Sequence, residues 1–344
     1  MLGDILTRDN PLLSRANRPI STKLGLSEIN FTCPDDGEKR GQLSPFDPGD
    51  ERVAALIEKS ISDNTRRAYR FDLSHFEIWG GTIPSTPATV ATYLADHVHE
   101  LSVATLVRRV ATLSKAHEAR GLANPCRSEI VRATLRGIKR SKGTVQKQAR
   151  ALEREDLMLV LDQLGESVRD VRDRALLLLG FAGGFRRSEL VGLNHADVEH
   201  VRHGLIVTLN FSKTDQEGAG RQLGIPHGRT RHCPVAALDA WLALSGIATG
   251  PIFRPVDRHG HIGVDRLSGE AVSLVVRERV GAAGINPVGF SGHSLRAGFA
   301  TSAVRAGVPT HRIRAQTGHA SDAMLARYVR EGELFLGNAA GALL

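Results

Sequence analysis

A chain of 344 residues, 41% hydrophobic and 24% charged, has enough apolar material for two packed cores and is neither a low-complexity polymer nor a fibre. Its formal charge of +8 favours a polyanionic partner, and on that ground alone nucleic acid and a membrane surface are equal candidates. The longest apolar run, residues 175–184, is about half of what a bilayer span requires, and the N-terminus has no basic stretch followed by an apolar one. Three scattered cysteines, Cys33, Cys126 and Cys233, lack the spacing of a disulfide framework or a zinc site, so a reducing cytoplasmic setting is expected.

Residues 1–48 hold five prolines and no sustained period, and read as an irregular segment. From 49 to 140 the pattern is helical. Asp63 or Asn64 caps a helix that places Tyr69, Leu73 and Phe76 on one stripe and Arg66, Arg67 and Arg70 on another, with Gly80-Gly81 as the stop. Thr86-Pro87 opens a second helix. Ser102 caps a third, in which Leu106, Val110 and Leu113 face inward while Arg108, Arg109 and Lys115 lie near the edge; Arg66, Arg67, Arg70, Arg108 and Arg109 are expected to face DNA. The fourth, over 127–140, buries Val131, Leu135 and Ile138. It lines up Arg132, Arg136, Lys139 and Arg140 as a basic ridge continued by Lys142. Eight Lys/Arg stand against one acid, Glu129, between 127 and 150. So one-sided a run, without interleaved glutamates, points to DNA phosphates rather than to an ordinary solvated face. Residues 141–150 are polar and basic and read as a linker between domains.

A second domain is expected over 151–331. Leu157, Val160, Leu161 and Leu164 mark one helix, and residues 168–181, apolar all round toward the end, mark a central buried one. Gly183-Gly184-Phe185 breaks it, and Arg186-Arg187-Ser188-Glu189-Leu190 follows. An arginine opening a helix directly after a buried one is held rigidly, as a bidentate phosphate clamp must be. Leu205, Val207 and Leu209 then alternate with Ile206, Thr208 and Asn210 as a strand, with a return strand at 222–227 and Lys213 on the hairpin between them. His195, His200 and His203 lack compact ligand spacing, so no metal is expected. Helices over 234–244, around Trp241, and over 267–283 lead to the last stretch.

Residues 291–331 read as three short helices. Ser294 precedes the first, which carries Leu295, Phe299 and Val304 inward and closes at Gly307; Pro309 opens the second, ended at Gly318; Ser321 caps the third. The polar residues ignore this burial pattern: His293 and Arg296 at a helix start, His319 in a Gly-His turn, Tyr328 nine residues on. Imidazole, guanidinium, imidazole and phenol suit the holding of an anionic phosphorus centre under attack by a hydroxyl. The tail, 332–344, is too apolar for an unattached end.

The set His293-Ser294-Leu295-Arg296, Gly318-His319 and Tyr328 resembles the C-terminal box of the tyrosine site-specific recombinases, the phage integrase family. Arg186 matches the arginine that opens the family's R-x-S-E-L element, and Lys213 its hairpin lysine in an S/T-K-T setting. The resemblance implies a mainly α fold with a small antiparallel β-sheet: an all-helical core-binding domain followed by an α+β catalytic domain. It assigns Tyr328 as nucleophile, Arg186, Arg296 and His319 as holders of the phosphate charge, Lys213 as acid, His293 as base or proton-sharing partner, and Glu189 in support. No cofactor is implied. Double-stranded DNA with an inverted-repeat site is the implied partner, bound by a tetramer, with accessory proteins left open and no membrane. The apolar tail is implied to dock on a neighbouring copy. Two rival readings are a type IB topoisomerase and a non-catalytic DNA-binding regulator.

Overall fold

Ser62, Thr86 and Ser102 each stand one residue ahead of a helix in extended conformation, and each side-chain oxygen accepts the backbone N–H three residues on. These caps start α1 (Asp63–Trp79), α2 (Pro87–Asp96) and α3 (Val103–Glu118) of the computed structural model. A 3-10 turn at Pro125–Arg127 leads into α4 (Glu129–Lys142), which extends the expected helix into the polar 141–150 stretch. The structure describes residues 60–143, 148–210, 220–319 and 321–333, in two units that part between residues 146 and 147. Residues 1–48, Lys213 and the tail beyond 333 lie outside the described residues.

In the first unit Phe76, Val90, Leu94, Leu106, Leu113 and Val131 form the core around a fully buried Tyr93. The rings of Phe76, Trp79 and Tyr93 pack edge-on or stacked, and the Trp79 indole N–H donates to Asp96 at 3.0 Å.

The second unit is built on α6 (Val168–Ala182), whose residues 175–180 are all buried. Packed with it are α5 (Arg154–Asp162), α8 (Pro234–Ser245) with Trp241 fully buried, α9 (Gly269–Ala282) and α10 (His293–Arg305). A short α7 (Arg187–Gly192) precedes the sheet. Three antiparallel strands run β1 (Val198–Val201), β2 (Gly204–Leu209) and β3 (Arg221–Pro226), in that spatial order. The register sets Val198 opposite Val207 and Leu209 opposite Arg221. The expected hairpin is thus the β2–β3 pair, and β1 is an additional edge strand. A smaller cluster of Ala300, Val304, Ile313 and Leu325 joins α10 to α11 (Thr310–Thr317) and α12 (Asp322–Glu333). Among the described residues no helix is long and apolar enough to cross a membrane.

Candidate active site

The turn between α11 and α12 is where the site is assembled. Gly318 takes the left-handed conformation, φ 65°, that ends α11, as its place after the helical run requires. The last carbonyls of a helix have no donor within it. Here guanidiniums supply them: Arg296 Nη1 donates to Thr317 O and, at 2.9 Å, to Gly184 O, while Arg186 Nη2 donates to Gly318 O at 3.1 Å. Arg186 lies directly before α7, and Glu189 fixes it twice, accepting its backbone N–H at 2.8 Å and its Nη1 at 2.5 Å. This is a buried pair, with Arg186 9% and Glu189 5% exposed, so the two side chains hold each other inside the protein. Arg296 reaches the same turn from α10, which begins at His293. The expected cap Ser294 is instead fully buried within that helix, its hydroxyl accepting the Ser291 N–H.

His319 is buried beneath these cations. The Thr317 hydroxyl donates to Ile313 O at 2.7 Å, so its oxygen accepts the Nδ1–H of His319, also at 2.7 Å. That bond selects the tautomer with a lone pair on Nε2. Burial first, then Arg296 and Arg186, pull the imidazole down to about 4, so it is neutral at pH 7. Burial and the adjacent Arg186 also lower Arg296, to about 10, where it stays charged.

The Tyr328 ring lies 5.7 Å from that of His319, centroid to centroid. Leu325, 1% exposed, and Val329 pin α12 to α10 on either side of it. Tyr328 and the exposed His293 line one cavity of about 320 Å³ with Ser291, Ala297 and Arg327. Arg327, which the sequence patterns did not single out, sits 5.0 Å from the Tyr328 ring centre and donates to its hydroxyl at 3.3 Å. Five of the six expected reacting groups, Arg186, His293, Arg296, His319 and Tyr328, are therefore linked through one turn and one cavity. A larger cavity of about 530 Å³, around Leu274 and Arg277, contains none of them.

Also missed was Arg221, at the start of β3. It follows Gly220 in a polar stretch and reads as solvated, yet it reaches the same turn. Its one signal was position, at the first residue of the return strand.

The basic residues of the first unit divide by burial. Arg109 is 2% exposed and serves the core, donating to Tyr93 Oη at 2.6 Å and lying 3.6 Å from Asp72. Its expected place on a DNA-facing edge is corrected: buried cations need partners, and Asp72 and Tyr93 supply them. Arg108 also grips Asp72, in bidentate fashion at 2.9 and 2.8 Å, but is 45% exposed. Arg66 donates to Ile61 O, Arg67 to Asn64, and Arg70 is half-buried. On α4, Arg132 donates to Arg127 O, Arg136 pairs with Glu129 and Lys142 donates to Val98 O and Leu101 O, while Lys139 and Arg140 are exposed.

Residues 150–333 match the phage integrase family. The chain is 40% identical over 293 residues to an integrase/recombinase xerD homolog of Selenomonas ruminantium, spanning 82% of this chain and 86% of that protein. It is 26% identical over 237 residues to recombinase cre of Escherichia phage P1, spanning 63% and 68%. A crystal structure of lambda integrase bound to DNA shares the fold, with a TM-score of 0.58 at 18% identity over 82% of this chain and 94% of that one. With more than half the chain matched and a relative of this identity over most of both lengths, the protein belongs to the phage integrase family and is a tyrosine recombinase.

Proposed function

We propose that this enzyme exchanges DNA strands at specific sites by two successive transesterifications. Tyr328 Oη attacks the scissile phosphorus and the bond to the 5′ oxygen breaks, leaving a 3′-phosphotyrosyl link and a free 5′-hydroxyl. His293 takes the phenolic proton, and the Lys213 ammonium delivers one to the departing oxygen. Arg186 and Arg296 hold the non-bridging oxygens, each already fixed against the 317–319 turn, and Glu189 keeps Arg186 in place. One phosphoester is exchanged for another, so the reverse step by the 5′-hydroxyl of a second strand needs neither ATP nor metal. Strand exchange between two inverted-repeat sites takes four protomers, and the ridge of Arg132, Arg136, Lys139, Arg140 and Lys142 is the proposed phosphate-binding face of the first unit.

The observation that carries this reading is the convergence of Arg186, Arg296 and His319 on one turn beside Tyr328, in a unit whose sequence matches the family. A suicide DNA substrate, nicked so that cleavage cannot reverse, tests it. The wild type is expected to accumulate a covalent adduct and Tyr328→Phe none. An adduct in the Phe variant would remove Tyr328 from its role, and relaxed circles without exchanged flanks would favour a topoisomerase.

A further inference from the structure

One cation in this unit has no task in the chemistry just described. Arg221, the first residue of β3, pairs in the sheet with Leu209, which is 5% exposed, so its backbone is anchored in the core. Its Nη1 donates to Ala315 O at 3.2 Å and to Gln316 O at 3.1 Å, and its Nη2 lies 4.0 Å from Glu189 Oε2. With Arg296 on Thr317 O and Arg186 on Gly318 O, three guanidiniums from three elements take four consecutive carbonyls, 315 to 318, immediately ahead of His319. Arg221 also touches the carboxylate that fixes Arg186. It is the one side chain of the three that comes from the β2–β3 hairpin.

We propose that Arg221 is a positioning residue for strand cleavage: it fastens the end of α11, and through it His319, to the base of the β2–β3 hairpin. This rests on the reading that Arg186 and Arg296 hold the scissile phosphate beside Tyr328. The contacts of Arg221 lie inside the protein. Its Nη1 is engaged by two carbonyls, and its Nη2 is buried without a hydrogen bond, shielded from solvent. One nitrogen, Nη1, meets both carbonyls while Nη2 lies on the Glu189 side; a lysine ammonium can take the carbonyls but has no second nitrogen for the carboxylate side. In the sequence Lys213 precedes Arg221 by eight residues.

The charged and titratable groups around His319 are Arg186 and Glu189 at α7, Arg221 on β3, Arg296 on α10, and Arg327 and Tyr328 on α12. Removing Arg221 subtracts one cation and loosens the turn, and both changes raise the imidazole pKa. The experiment pairs two readouts on Arg221→Met and Arg221→Lys. The first is single-turnover adduct formation on the suicide substrate, together with DNA affinity. The second is a proton NMR titration of the His319 ring in the free protein, assigned by the peak missing from His319→Gln. The Met variant is expected to keep DNA affinity, lose roughly 100-fold in cleavage as a displaced ligand set would, and titrate His319 at higher pH. The Lys variant is expected to recover part of the rate. Wild-type cleavage by Arg221→Met, or a slow variant whose His319 titrates as in the wild type, overturns the proposal. Should the wild type form no adduct, the reading of the reaction fails, and the titration alone decides whether Arg221 holds the imidazole.

Discussion

Gly318 and Arg221 are in contact so close that a Cβ on the glycine would lie 2.4 Å from the guanidinium Nη1. The glycine is needed twice here, once for its left-handed φ of 65° and once for the room it leaves the arginine. Gly318→Ala is therefore expected to swing Arg221 off Ala315 and Gln316. The loss should be about 1–3 kcal/mol in urea unfolding, with adduct formation slowed and DNA affinity retained. Equal melts and equal single-turnover rates for the two proteins would refute this coupling.

A second glycine meets backbone rather than a movable side chain. At Gly298 on α10, a Cβ would lie 1.7 Å from Leu152 O. Gly298→Ala should cost about 3 kcal/mol or more, since neither helix nor incoming chain can give way cheaply. Gly137, on α4, has nothing within 4 Å of its would-be Cβ, and Gly137→Ala should stabilise by about 0.5–1 kcal/mol. Thermal unfolding of the pair reads both signs.

His319 makes stability depend on pH. Its folded value of about 4 lies below the ordinary 6.5, so the unfolded chain binds the proton first as pH falls. The stability this burial provides is present above 6.5 and is lost progressively down to about 4, by about 3 kcal/mol in all. Urea midpoints measured from pH 7 to 4 should fall more steeply for the wild type than for His319→Gln. Parallel curves would mean that the imidazole takes up its proton at the same pH in the folded and the unfolded chain.

Arg109 and Lys139 should separate folding from binding. Arg109→Ala leaves Tyr93 Oη without its donor inside the core, while Asp72 keeps Arg108 and Thr112, and is expected to cost about 1–3 kcal/mol in unfolding. Lys139→Ala, on an exposed face, should leave the melt unchanged. It should weaken DNA binding and reduce the slope of log affinity against log salt by about 0.9, as one lost phosphate contact requires. A melt lowered by Lys139→Ala, or a salt slope left intact, would count against the proposed face.

What was legible in the sequence follows from the range of the interactions. A cap such as Ser102 acts within three residues, and the alternation of Leu205, Val207 and Leu209 is local, so these elements could be read directly, whereas the first helix starts one residue earlier than expected, on Ser62 rather than Asp63 or Asn64. The spacing of His293, Arg296, His319 and Tyr328 was legible because the four sit on α10, on α12 and in the turn before α12, within one short stretch of chain. The β1 strand was not, since Glu199 and His200 face solvent at a sheet edge and no alternation results. Arg109 and Arg221 were misread or passed over for another reason. Whether an arginine is buried depends on partners far along the chain, such as Ala315, 94 residues from Arg221. Only the assembled fold brings such partners together.

The chain entering the second unit does not stop at its surface. Arg150 N–H donates to Gly289 O, Leu152 N–H to Ser294 O and Arg154 N–H to the Ser302 hydroxyl, and Arg150 covers the Phe290 ring. Residues 150–154 thus run beside α10 from before its first turn to near its last. Residues 150–154 are therefore built into the same packing as α10, and a substitution there that costs one of these N–H donors is expected to disturb the placement of His293 and Arg296 without altering either side chain.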